Sequence, residues 1–218
     1  MRVGYGPCLR KLSRNFMLNR LRIFDLIRSQ KQIAGHNLTN QEKVVQDDAY
    51  FDTLNGQLFS QGKSFRLRQS CGQYAVTFKE KLTGNHVRME FEETITKLQA
   101  QRLLDSDLTD VFQVKVIQTA ISHLGTNRIN PIFCLQNNRE KWCLGSGLAN
   151  LEICFDSIQY MDIGQSRFFE ENELELELKE GDPEFHWKIT NLLSQQYTLT
   201  PSFQSKYERG VKLLNVFG

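Results

Sequence analysis

The sequence predicts an α+β protein built on an antiparallel β-barrel with peripheral helices. Three observations carry that reading. Residues 172–181, NELELELKEG, alternate Leu174, Leu176 and Leu178 with Glu173, Glu175, Glu177 and Lys179, the period of two expected of a strand with unlike faces. Other stretches repeat the pattern with charge doublets: Arg66 and Arg68, Lys79 and Lys81, Glu90 and Glu92. Like charges two residues apart on a strand repel, so such faces are better explained when they converge on a ligand inside a closed sheet. Finally, strands outnumber helices and the two are interspersed along the chain.

Taken in order, Leu12–Leu18 (LSRNFML) reads as a short strand. Residues 19–33 follow with Leu21, Phe24, Ile27 and Ile33 at helical spacing. Residues 31–43 are polar, with Gly35, Asn37 and Asn40, and read as a loop. Residues 44–52 return to a strand, and Leu54-Asn55-Gly56 makes a turn. An antiparallel meander comes next: residues 64–69, a turn at 70–73, residues 74–81, a turn at Thr83-Gly84-Asn85, then residues 87–95.

Thr96 is a natural N-cap for a helix through Leu104. Residues 110–124 suit a second helix, with Val111, Val114, Ile117 and Ile121 apolar and Gly125 beyond its end. Strands resume at 132–135, 140–144, 149–156 and 172–180. Asp182-Pro183 opens another helix, with Phe185, Ile189, Leu192 and Leu193 as its buried stripe. The segment 201–214 holds Ser205-Lys206-Tyr207 before Val211, Leu213 and Leu214.

The 218 residues are 40% hydrophobic and 24% charged, enough for one sizeable domain. The net charge of +2 gives no bulk attraction to a nucleic-acid polymer, and none is expected as a partner. No apolar run approaches bilayer length, so no membrane partner is expected either. Five cysteines without a CxxC pair suit an intracellular, thiol-bearing protein; cytoplasm is the expected compartment.

Several of these residues, in this order, resemble the CYTH domain family of triphosphate tunnel metalloenzymes, which includes class IV adenylate cyclases and thiamine triphosphatases. They are the DAYFD stretch at 48–52, Leu58 and Gly62 before Phe65-Arg66-Leu67-Arg68, Lys79, the Glu90/Glu92 pair, Arg139, Asp156, the Glu175/Glu177 pair before Lys179, and Ser205-Lys206. The resemblance implies a single domain over residues 1–218, with 1–11 as an extension, folded as a tunnel of eight antiparallel strands. It implies phosphate contacts from Arg66, Arg68, Lys79, Arg139 and Lys206. Metal ligands would come from Glu90, Glu92, Asp156, Glu175 and Glu177, and the catalytic set would be Glu175, Glu177 and Lys206. Oxygen-only ligands suit Mg²⁺ or Mn²⁺. The implied ligand is a small molecule carrying a triphosphate, or inorganic polyphosphate. The implied activity is metal-dependent hydrolysis of tripolyphosphate or an organic triphosphate. The alternatives are a non-catalytic triphosphate-binding module and an adenylate cyclase.

One departure stands out. The family usually opens with a strand reading E-x-E-x-K, and the corresponding positions here are Lys11, Ser13 and Asn15. Leu12, Arg14, Phe16 and Leu18 keep the flanking pattern, so the strand is expected without its carboxylates. The expected consequence is anion capture that outlasts hydrolysis.

Overall fold

The alternating stretches form long antiparallel ladders. The computed structural model describes residues 9–10, 12–18, 22–81, 88–126, 128–146 and 149–218. In chain order the elements are β1 (Leu9–Arg10), β2 (Leu12–Leu18), α1 (Arg22–Arg28), β3 (Gln32–Ile33), β4 (His36–Asp52), α2 (Gln57–Ser60), β5 (Lys63–Ser70), β6 (Gln73–Lys81) and β7 (Arg88–Ile95). There follow α3 (Lys97–Leu104), α4 (Lys115–Ser122), β8 (Asn130–Ser146), β9 (Ala149–Met161), β10 (Phe168–Gly181), α5 (Pro183–Tyr197), β11 (Thr200–Ser202) and α6 (Lys206–Leu214). Eight of the described strands (β2, β4 to β10) have seven residues or more, the number a tunnel of this kind needs.

The strands are ordered β1-β7-β6-β5-β4-β8-β9-β10-β2-β11, with β3 paired to β4 alone. Among the described residues the ladder does not close on itself, running from β1 at one end to the short β11 at the other. The N-terminal stretch nevertheless reaches both sides of the opening: β1 pairs with β7, and β2 pairs with β10 and β11. The sheet therefore curls into a tunnel whose seam lies beside the N-terminal strands.

One face of the curled sheet is apolar and covered by helices. Phe51, Phe65, Leu67, Val76 and Phe78 pack under α2, α3 and α4. On the other side Phe16, Ile153, Phe155, Leu174 and Leu176 pack under α1 and α5. Burying each of these large side chains contributes about 1.5–3 kcal/mol. A third cluster lies on the inner face, where Tyr50, Phe133, Leu135, Ile158 and Tyr160 meet Tyr207, Val211 and Leu214 of α6. Helix α6 thus forms the floor of the tunnel.

Local signals explain the ends of several elements. Asp182 caps α5 by accepting from the Glu184 N–H at 2.9 Å, with Pro183 in the first turn. Thr96 and Gln99 form a capping box on α3, as Ser205 and Glu208 do on α6. The β5–β6 connection is a two-residue turn with Cys71 and Gly72 both at positive φ (51° and 75°), the conformation tight hairpins demand.

The structure departs from the expected elements at several places. Residues 31–43 are not a loop: β3 and β4 form a hairpin there, and β4 runs on from His36 because β8 pairs with it, Leu38 opposite Leu144 and Thr39 opposite Cys143. Residues 132–135 and 140–144 belong to one strand, since the polar run between them faces partners on both sides. Helix α1 stops at Arg28. The helix expected over 110–124 covers only Lys115–Ser122, although Val111 and Val114 remain buried ahead of it. On α5 the buried stripe includes His186 and Thr190 with Ile189 and Leu193, while Leu192 is exposed. The turn expected at Thr83-Gly84-Asn85 lies outside the described residues, as do Lys11 and Cys8. Among the described residues, no helix is long and apolar enough to cross a membrane.

Candidate functional site

The inner face of the sheet lines a cavity of about 640 Å³. It brings together nine of the ten residues singled out above: Arg66, Arg68, Lys79, Glu90, Glu92, Arg139, Glu175, Glu177 and Lys206. The tenth, Asp156, is fully buried behind this surface. Strand pairing explains the gathering, because residues directly opposite on neighbouring strands share a face. Asp48 lies opposite Arg68 and Tyr50 opposite Arg66. Thr77 lies opposite Glu92 and Lys79 opposite Glu90. Arg139 lies opposite Asp156, which lies opposite Glu173.

On one wall Asp48 organises the arginine pair. Its Oδ1 accepts from Arg68 Nε at 2.6 Å, and its Oδ2 from Arg68 Nη2 at 2.7 Å and Arg66 Nη1 at 3.3 Å. Burial pushes the Asp48 carboxyl up, but Arg68 and Arg66 overcome that and hold it below the usual carboxylate range. The Thr77 hydroxyl accepts from Arg66 Nε and donates to Glu92 Oε2 at 3.0 Å, tying the arginine to β7. Lys79 Nζ sits 3.2 Å from Glu90 Oε2.

The opposite wall is acidic. Arg139 forks onto Asp156 with bonds of 2.7 and 2.6 Å, and reaches Glu175 Oε2 at 2.7 Å. Burial opposes ionisation of Glu175, yet Arg139 and Lys206 pull its carboxyl down to about 2; Asp156 is depressed through the same two cations. Lys206, the first residue of α6, lies 3.0 Å from Asp156 Oδ2 and also contacts Glu173 Oε1. Nearer the opposite end of the lumen, Lys179 bridges Glu177 and Glu152 at 3.0 Å each.

Three contributors escaped the sequence reading. Glu173 is fully buried and joins Lys206, Arg209 and the Asn15 amide. Its signal was present, since it continues the alternation of Glu175 and Glu177. Arg209 stands one helical turn after Lys206, where a second basic residue at i+3 marks the same face. Asp48 lay in plain view at the start of the DAYFD stretch. Asp52, which closes it, accepts from the N–H groups of Leu58 and Phe59 and from the Tyr207 hydroxyl at 2.7 Å, so it fastens both α2 and α6.

Ser13 and Asn15 also line the cavity, opposite Glu177 and Glu175. Among the described residues, Asp156, Glu173 and Glu175 are the one group of three ligating side chains whose oxygens lie within 4.8 Å of one another. Glu90, Glu92 and Glu177 border the cavity outside that group. The thiols of Cys71, Cys134, Cys143 and Cys154 are free.

Residues 20–211 match the CYTH domain. Among solved structures, a candidate adenylate cyclase from Bacillus halodurans is similar at a TM-score of 0.66 and 19% identity, over 91% of this chain and 96% of that one. A candidate adenylyl cyclase from Hippeastrum, described as revealing a dominant triphosphatase activity, has a TM-score of 0.66 at 15% identity, covering 95% of this chain and 96% of its own. A protein of Pyrococcus horikoshii reaches 0.58 at 16% identity, covering 93% and 99%. At these identities the likeness is one of fold.

Proposed function

This chain belongs to the CYTH domain family, and from that premise we propose that its lumen binds the triphosphate group of a small molecule, or the end of an inorganic polyphosphate, and hydrolyses the terminal phosphoryl group slowly. The observation that supports this most is the cavity itself, about 640 Å³, into which Arg66, Arg68, Lys79, Arg139 and Lys206 all converge. Guanidinium forks match phosphate oxygens bidentately, and an ammonium adds a compact charge. The free thiols suit a reducing compartment such as the cytoplasm.

The family is generally metal-dependent. The carboxylates bordering the cavity offer oxygen ligands only, which suits Mg²⁺ or Mn²⁺; Glu90, Glu92 and Glu177 are the proposed ligands. Bound there, such an ion would neutralise phosphate charge. Asp156 does not fit that role. Its Oδ1 accepts from Arg139 Nε, and its Oδ2 is shared by Arg139 Nη2 and Lys206.

Phosphoryl transfer runs through a loose transition state, so the residues chiefly position and neutralise. In this reading Arg66 and Arg68, held by Asp48, grip the inner phosphates. Arg139 and Lys206 take up charge at the reacting end. Glu175, held below the usual carboxylate range by Arg139 and Lys206, stays ionised rather than acting as the base. It and Glu177 would orient the attacking water instead.

Ser13 and Asn15 support a second reading, a module that captures triphosphate without turnover. They set neutral oxygens opposite Glu177 and Glu175 where the family's strand has carboxylates. A thermal-shift titration with tripolyphosphate, beside phosphate release measured with Mg²⁺ and with Mn²⁺, tests both. The expected result is a raised melting temperature with slow release, faster with Mn²⁺. Stabilisation without release selects the capture module, and no stabilisation by any triphosphate refutes the site.

A further inference from the structure

The deep carboxylates of this tunnel already hold a cation, and it belongs to the chain. Asp156, Glu173 and Glu175 present their oxygens within 4.8 Å of one another, a spacing that would suit a divalent ion. Lys206 Nζ stands among them, 3.0 Å from Asp156 Oδ2 and in contact with Glu173 Oε1. Two guanidinium groups complete the set: Arg139 on Asp156 and Glu175, and Arg209 on Glu173 Oε2. Asn15 Nδ2 donates to Glu173 Oε1 at 3.1 Å. Three carboxylates therefore face three fixed cations, with Asp156 and Glu173 fully shielded from water.

We propose that the Lys206 ammonium is the resident cation of the Asp156–Glu173–Glu175 cluster, excluding a divalent ion from the deep end of the tunnel. Geometry and charge both favour it. A metal ion entering here would displace an ammonium already held by Asp156 and Glu173, and would sit between two guanidinium groups. The ammonium costs no free ion and cannot diffuse away. Its placement depends on the helix: Ser205 accepts from the Glu208 N–H at 3.1 Å, and Glu208 accepts from the Ser205 N–H at 2.6 Å, which fixes the residue that follows the cap. The inference rests on this cluster and not on hydrolysis, so it stands or falls separately from the function proposed above.

The test uses the whole chain and Mn²⁺ alone, without phosphate, followed by the loss of the free-ion electron paramagnetic resonance signal. Wild type is expected to take up no Mn²⁺ at the cluster, so that Glu173→Gln leaves the titration unchanged. Lys206→Met, which keeps most of the apolar stem and removes the charge, is expected to gain one bound equivalent and to be stabilised thermally by Mn²⁺. Wild-type binding that Glu173→Gln abolishes would overturn the proposal, as would a folded Lys206→Met that still takes up none. If Lys206→Met does not fold, the comparison of wild type with Glu173→Gln decides the matter by itself.

Discussion

Asp48 offers the sharpest quantitative handle on the lumen. It is fully buried and accepts from both Arg66 and Arg68, so Asp48→Asn leaves two guanidinium groups sharing a neutral amide. Breaking a buried ion pair from one side costs about 3–5 kcal/mol. Asparagine keeps one acceptor oxygen, which places the expected loss near the lower bound, about 3 kcal/mol. For a chain of this size each kcal/mol moves the melting temperature by about 2–4 °C, so a fall of about 6–12 °C is expected. The same substitution raises the local charge of the trio from +1 to +2 and should tighten its hold on a polyanion. A tenfold gain in affinity is about 1.4 kcal/mol, which at saturating tripolyphosphate returns about 3–6 °C. Differential scanning fluorimetry with and without tripolyphosphate reads both numbers from one plate. A variant melting with the wild type, or one that folds but no longer responds to tripolyphosphate, would refute this account of the arginine wall.

Two further outcomes follow from the geometry. Asp48, Asp156 and Glu175 have carboxyls held below their ordinary values, so the stability they contribute is full above the unfolded range near 4 and is lost as pH falls through the folded values; urea midpoints should drop steeply between about pH 5 and about pH 2, and a midpoint flat over that interval would contradict the buried pairs. Gly210→Ala would set a methyl carbon 2.5 Å from the Phe133 ring and 3.0 Å from Tyr160, both fully buried, so about 1–3 kcal/mol of overpacking and a weakened tripolyphosphate response are expected, and a variant indistinguishable from wild type would show that α6 does not seat against those rings.

Much of the fold was legible because its strands are two-faced. The runs at 64–69, 74–81 and 172–180 carry charge on one side and bulk on the other, and each became a strand facing the lumen. The helix caps at Thr96 and Asp182 were equally readable, since each is a side chain answering an orphan N–H within its own turn. What stayed hidden depends on partners far along the chain. Residues 36–43 look like a loop until β8 arrives to pair with them. Asp48 gave no local sign that it would sit opposite Arg68. Glu173 alternates with its neighbours as visibly as Glu175 does, but its link to Arg209 on α6 is a tertiary fact.

The seam beside β2 has a kinetic consequence. Asn15 meets Glu173 across 158 residues of chain, and among the described residues β10 is the one long strand that β2 pairs with. Its register can therefore be set only after β10 has been synthesised, and the entropy of closing so long a loop falls on that step. The meander from β4 to β7 can assemble early from adjacent hairpins, whereas β2, short and amphipathic, waits with its edge exposed. Until it docks, the half-built sheet presents two open edges to other chains, the arrangement most prone to association during folding. The strand carrying Ser13 and Asn15 is thus also the one on which completion of the tunnel wall depends.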